Sequence, residues 1–558
     1  MPRSIRNFIP ALLFCLIPAA SAHAARPHPS YKQQEQRASL AFNIAKKNPL
    51  QLRAFLARMP KGADLHMHLT GAVYAETFLK DAAIDLLCVD PVTLSFTKNI
   101  GTTRSLSPQP VCGKGDVRAE SVFTNQHLYD ALVDSFSMRG FVPSTGTSGH
   151  DQFFATFDRF GSVSDSHYGE WLDEVATRAA AQNEQYLEIM STPTFSNAAK
   201  LGYELGWPTG AGLPVGAMGQ KEVTPEQLAK LRDALLADGL RDEVAIDRKQ
   251  LADAEAKRSA IENCPTASQQ KNVSIPTGDS IGDPAHSIAC SIKIRFLYQV
   301  LRAFPPQQVF AQTLLGFEVA SQDPDVIGIN FVQPEDAYLS MSEYHRQMQM
   351  LDYLHTVYPR VHITLHAGEL APGLVRPAGL RFHIREAVEL GHAERIGHGV
   401  DIMYEDNPQA LLKEMATRHV MVEINLTSND VILGIDAAHH PLPIYRAAHV
   451  SVALSTDDEG VSRIDLTNEY TRAARDFNLS YIDLKNMART SLEHSFLSGP
   501  SLWQEPDTFT RTNAACASQP LGAEKPNRKC QTFLKSSEKA AEQWELEHRY
   551  KIFEATLQ

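Results

Sequence analysis

Past its first two dozen residues the chain has no run of the ~18 apolar residues that a membrane-spanning helix needs, which excludes such a helix there. Positive charge is also scarce. Lys and Arg number 53 against 65 Asp and Glu, a formal net charge of -12. Without a basic stripe the chain lacks the footprint of a protein that grips phosphate backbones, so nucleic acid is set aside as a partner. Only 7 of the 558 residues are cysteine, and none stand as C-x-x-C, which argues against a thiolate zinc site. Internal repeats and low-complexity tracts are missing too, so a solenoid or a disordered chain is not the reading. What remains, at 43% hydrophobic and 21% charged, has ordinary globular composition. The length suits several domains, or one large barrel with insertions.

The N-terminus reads as an export signal. Arg3 and Arg6 precede the apolar stretch Phe8–Ala20, and Ala22-His23-Ala24 fits a small-x-small cleavage site. Pro10 and Pro18 interrupt the stretch, which is short for a bilayer, so cleavage is preferred over a stable membrane anchor. Residues 1–24 are therefore expected to be a signal peptide, and the protein to be exported, periplasmic or secreted. Cys15 leaves with the signal. The other cysteines fall as close pairs, and local bridges Cys88–Cys112, Cys264–Cys290 and Cys516–Cys530 are the simplest pairing.

Residues 25–60 read as an N-terminal helical arm. From there, short β-type runs alternate with helical stretches: Ala63–Leu69, Tyr186–Met190, Ile292–Leu297, Val326–Val332, Val361–His366, Arg395–Gly399, Val420–Leu426 and Val450–Thr456. That alternation predicts an α/β fold, a (β/α)8 TIM-type barrel over residues 61–500. Irregular insertions are expected near 85–120 and 204–290. Residues 501–558 read as a C-terminal extension that ends in a closing helix.

Four motifs carry chemistry. In Asp64-Leu65-His66-Met67-His68-Leu69, residues two apart on a strand face one side, so His66 and His68 would point into the barrel together. Alone, H-x-H fits surface or packing histidines equally well. In Thr364-Leu365-His366-Ala367-Gly368-Glu369, a tight Ala-Gly turn after His366 would bring Glu369 over the same mouth, though an ordinary polar turn would read alike. His398, in Arg395-Ile396-Gly397-His398-Gly399, has glycines on both sides and little crowding, or faces solvent in a turn. Asp457 and Asp458, in Leu454-Ser455-Thr456-Asp457-Asp458-Glu459, repel unless one binds metal or holds a proton; a helix cap is the plainer reading. Jointly the motifs place histidines and carboxylates at the ends of four strand-like runs, where barrel active sites form.

This set, HxH, TLHAGE, RIGHG and STDD in that order, resembles the adenosine/AMP deaminase family of metal-dependent hydrolases. Tyr186–Pro193 (YLEIMSTP), Glu423–Asn429 (EINLTSN) and Met487–Leu497 (MARTSLEHSFL) support the likeness. The export signal, arm and cysteine-bearing insertion look closest to the secreted, growth-factor-related branch. The resemblance implies one Zn²⁺ per chain on His66, His68, His366 and Asp457, with His398 holding or deprotonating a metal-activated water. It further implies that Glu369 protonates purine N1, that Asp458 bonds N7, and that Phe153 and Phe157 wall the pocket. The implied reaction converts adenosine or deoxyadenosine to inosine and ammonia by attack at C6. Two positions depart from the family pattern. Thr70 stands where an Asp commonly contacts the sugar hydroxyl, and Gln333 where a Gly usually offers its N–H to purine N3. Both touch recognition of the small-molecule purine nucleoside and spare the metal ligands. Competing expectations are a deaminase of another aminopurine nucleoside, or a secreted binding or signalling protein on a deaminase scaffold. By analogy with the branch, whose arm mediates dimers, a homodimer is expected.

Overall fold

The computed structural model describes residues 31–101, 109–208, 223–265 and 287–557. The signal-peptide reading of residues 1–24 falls outside them. Eight parallel strands form one sheet in chain order: β1 (Gly62–His68), β5 (Glu184–Ser191), β6 (Lys293–Leu301), β7 (Val326–Val332), β8 (His362–Ala367), β9 (Arg395–His398), β10 (Met421–Ile424) and β11 (Val452–Leu454). Each apolar run read as a strand from the sequence is one of these. Every residue of β1, β5, β9, β10 and β11 is buried, as expected for strands with side chains inside the barrel on one face and helices on the other.

The barrel closes at a single seam. Just beyond β11, Asp457 bridges to Met67 of β1 in parallel register. Its N–H donates to the His66 carbonyl at 2.8 Å, and its carbonyl accepts from the His68 N–H at 3.3 Å. Closure therefore runs through three of the residues singled out as metal ligands.

At the opposite end of β1, Lys61 is fully buried and its Nζ donates to the carbonyls of Leu56, Met59 and Gln182 at 2.6–3.1 Å. Burial is the main cause pushing its pKa down, to about 7. The helices Tyr31–Ala45 and Pro49–Arg58 pack here with the helices Tyr481–Glu493 and Glu538–Thr556. Phe42, Phe55 and Phe553 meet edge to face at 5.5 and 5.3 Å, and Tyr550 Oη donates to the Pro60 carbonyl. Arm and tail thus join over the strand end remote from His68.

The insertion near 85–120 is more regular than its composition suggested. There β2 (Cys88–Asp90) pairs antiparallel with β3 (Ser95–Thr97) and β4 (Val117–Arg118). In the 204–290 region the helices Pro225–Ala237 and Leu240–Ile261 pack on the outer helices. All three expected bridges are present, with Cα–Cα separations of 5.7, 5.4 and 4.6 Å. Cys516 and Cys530 belong to a small separate core with Leu502, Trp503, Phe509, Ala540 and Trp544. Breaking the loop of 14 residues with Cys516→Ser should cost that core about 3 kcal/mol. The expected outcome is faster proteolysis within residues 501–536 with the bound-metal content of the barrel unchanged. A free Cys516 thiol in the native protein would contradict it.

Candidate metal centre and catalytic site

Three imidazoles are aimed at one point by what holds their far nitrogens. His66 Nδ1 lies 2.6 Å from Glu423 Oε2, His68 Nδ1 2.7 Å from Gln299 Oε1, and His366 Nδ1 2.6 Å from Asn330 Oδ1. Each oxygen accepts an Nδ1–H, which leaves the Nε2 lone pairs free to bind. Those atoms converge. His366 Nε2 stands 3.1 Å from His66 Nε2 and 3.2 Å from His68 Nε2. Asp457 Oδ1 is 3.4 Å from the first and 3.2 Å from the second of the β1 nitrogens. Separations of this size are those of neighbouring donors that each stand about 2 Å from a common ion, the bond length zinc makes to nitrogen and oxygen. The donor set, three imidazoles and one carboxylate, fits a divalent ion such as zinc, with His66, His68, His366 and Asp457 as the residues able to hold it.

The electrostatics favour positive charge there. Burial would lower the His66 pKa, but hydrogen bonds with Asp457 and Glu423 push it up to about 10. His366 goes the other way, well below its usual value, through burial and then the neighbouring His66 and His68. Burial alone would raise Asp457; hydrogen bonds from His66 and His68 hold it well below the carboxylate range. Its second oxygen accepts from Ser428 Oγ at 2.6 Å.

The proton-handling candidates surround this set. His398 is fully buried, with φ of +68°. Its Nε2 has no hydrogen-bond partner among the described residues and stands 3.7 Å from Glu369 Oε1 and 3.9 Å from Asp457 Oδ2. Burial, then the Asp457 and Glu335 charges, push the Glu369 carboxyl well above its ordinary range. Asp458 is likewise pushed up, to about 8, by burial and then Asp457, against the pull of His68. Its Oδ1 is buried without a partner. A methyl group on Gly71 would come within 1.4 Å of that oxygen, so only glycine leaves room for it.

The residues expected to contact the substrate stand outside the metal set. Phe153 and Phe157 contact each other, 5.9 Å between ring centroids, on the helix Gly149–Phe160. That helix packs on the helix Leu426–Leu433, which carries Ser428. Thr70 is half-buried on the short helix after His68. Gln333 keeps the left-handed backbone, φ +86°, that a glycine would take at no cost. Its side chain is turned aside, accepting from the Ala303 N–H at 2.7 Å.

Sequence reasoning assigned no role to the anchors. Glu423, Asn330 and Gln299 are polar residues inside apolar strand runs, and that mismatch is the signal that would have found them. Glu335 is another. It accepts from the backbone N–H groups of Gly368 and Glu369 at 3.0 and 2.8 Å and pairs with His383. Burial would raise its pKa, but His383 and Arg302 hold it at about 2. Glu423→Gln removes the anionic acceptor behind His66 and should weaken metal affinity about 10- to 100-fold. A competitive chelator titration measures this, and unchanged affinity would remove Glu423 from the anchoring role.

A family model described as adenosine deaminase matches residues 281–502. Adenosine deaminase of Clostridium perfringens is 36% identical over 137 residues, 24% of this chain and 38% of the relative. That of Escherichia coli is 40% identical over 138 residues, 25% of this chain and 38% of the relative. The matched stretch therefore spans well under half the length of these curated relatives. Among solved structures, adenine deaminase of Arthrobacter aurescens aligns with a TM-score of 0.46 at 16% identity, covering 79% of this chain and 94% of that one. The stretch that carries TLHAGE, RIGHG and STDD is thus similar to adenosine deaminases in its sequence.

Proposed function

We propose that this protein is a zinc-dependent hydrolytic deaminase of an aminopurine nucleoside, with adenosine or deoxyadenosine as the first candidate substrate. The observation that carries the reading is the convergence of three imidazole nitrogens and a carboxylate oxygen beside two carboxyl groups that favour their protonated forms. The curated relatives named above, both adenosine deaminases, support adenosine over other amines.

When bound, the ion supplies Lewis acidity enough to ionise water near neutral pH. The chain's own residues do the rest. Glu369, neutral in its buried turn, donates a proton to N1 and makes C6 electrophilic. Asp458, also neutral at pH 7, donates a hydrogen bond to N7 through its unpartnered Oδ1. Asp457 stays ionised because His66 and His68 hold it so. The balance is adenosine plus water giving inosine plus ammonia. Oxidising export is part of the proposal, supported by three disulfides and the N-terminal signal pattern.

Ammonia release from adenine, adenosine, deoxyadenosine, AMP and 5′-substituted adenosines, with and without chelator, tests the reading. We expect chelator-sensitive release that is greatest with a nucleoside. No release from any aminopurine, alongside intact receptor or glycan binding, would favour a binding protein on a deaminase scaffold. Glu369→Gln should keep the metal and lose about 10²-fold or more in kcat, the scale set by removing a positioned proton donor. Wild-type turnover by that variant would take the proton-donor role from Glu369.

A further inference from the structure

Behind His398 lies a chain of hydrogen bonds whose direction is set at its far end. The backbone N–H of Leu442 can only donate, and it donates to His440 Nδ1 at 3.1 Å. His440 is buried, and burial, then Arg472 and His398, lower its pKa to about 3, so the ring is neutral. With Nδ1 accepting, its single proton sits on Nε2. His440 Nε2 lies 3.0 Å from Asn429 Oδ1, which accepts that proton. The amide is thereby oriented: flipping it would set N–H against N–H. Asn429 Nδ2 then faces His398 Nδ1 at 2.8 Å and donates to it. Asn425 Nδ2 approaches the same nitrogen at 3.5 Å. A His398 nitrogen that accepts from amide groups carries no proton, so the proton is on Nε2, the buried atom without a partner that faces Glu369 and Asp457.

We infer that Asn429 and His440 act as positioning residues that fix the tautomer of His398, making it a hydrogen-bond donor through Nε2 rather than a base. Of the two roles open to His398, holding the attacking water or deprotonating it, only holding is compatible with this tautomer. The same proton bars Nε2 from ligating the ion, which separates His398 from His66, His68 and His366. Their Nδ1 atoms face oxygens and their Nε2 atoms are free, whereas His398 has the reverse arrangement. The functional consequence rests on the deaminase reading; the tautomer does not.

Two readouts test this. In the full-length, metal-loaded protein with ¹⁵N-labelled histidine, long-range ¹⁵N–¹H correlations report which nitrogen of His398 bears the proton. The signal is assigned by its loss in His398→Gln. We expect Nε2–H. Asn429→Asp keeps the shape but presents only acceptor oxygens, so the correlation should invert to Nδ1–H. Its kcat should fall about 10²-fold or more while KM stays within about threefold, as when the catalytic histidine of a serine protease is put in the wrong tautomer. Metal content should match wild type. His440→Ala should lose activity, and His440→Gln, which can restore the N–H towards Asn429, should recover most of it. Finding Nδ1–H on His398 in the wild-type protein would overturn the inference. So would a folded, metal-loaded Asn429→Asp variant with wild-type kcat. If no aminopurine is turned over, the deaminase reading fails by itself, and the tautomer still stands or falls on the spectrum.

Discussion

The backbone of Asp457, seated between the N–H of His68 and the carbonyl of His66, closes the barrel and places the metal set in one stroke. Strand pairing is periodic, and a slip of one residue would turn His66 and His68 away from the interior. The donor geometry is therefore a consequence of the barrel's register. Asp457 meets that demand with a left-handed backbone, φ +61°, a conformation uncommon outside glycine that its neighbours must over-determine.

The charge of that same side chain organises the chemistry around it. Asp457 remains an anion because His66 and His68 hydrogen-bond to it, and its charge then raises the pKa of both Glu369 and Asp458. Burial acts in the same direction on the latter two. One ionised carboxylate beside two protonated ones is the division that the proposed hydrolysis at C6 requires: an anionic ligand for a cation, and neutral donors for the ring nitrogens. Glu335 extends the pattern outward. It keeps its charge through His383 and Arg302 and grips the turn that carries Glu369.

The N-terminal arm and the C-terminal helix keep clear of this centre. Arm and tail cover the strand end marked by Lys61, while His68 ends the same strand at the other side. Disulfides tie down the irregular segments, and the Cys516–Cys530 pair sits in a core of its own. The barrel can thus carry long insertions because loop closure costs grow slowly with length.

The order of apolar runs made the barrel legible, because a period of two and a run length of four to eight are local properties of a chain, and the resemblance carried by the motifs at their ends implied the candidate metal set. Cysteine pairing was legible for a similar reason: each bridge closes a short loop. The anchors were not. Glu423 lies 357 residues from His66, and Gln299 lies 231 from His68, so nothing in either neighbourhood marks the partnership. Phe153 and Phe157 share the helix Gly149–Phe160, and its packing on the helix that follows β10 is likewise decided only by the folded chain. The proton on His398 depends on a backbone N–H at Leu442, transmitted through two side chains. Hydrogen-bond direction is a property of a three-dimensional network, and only the folded chain assembles one.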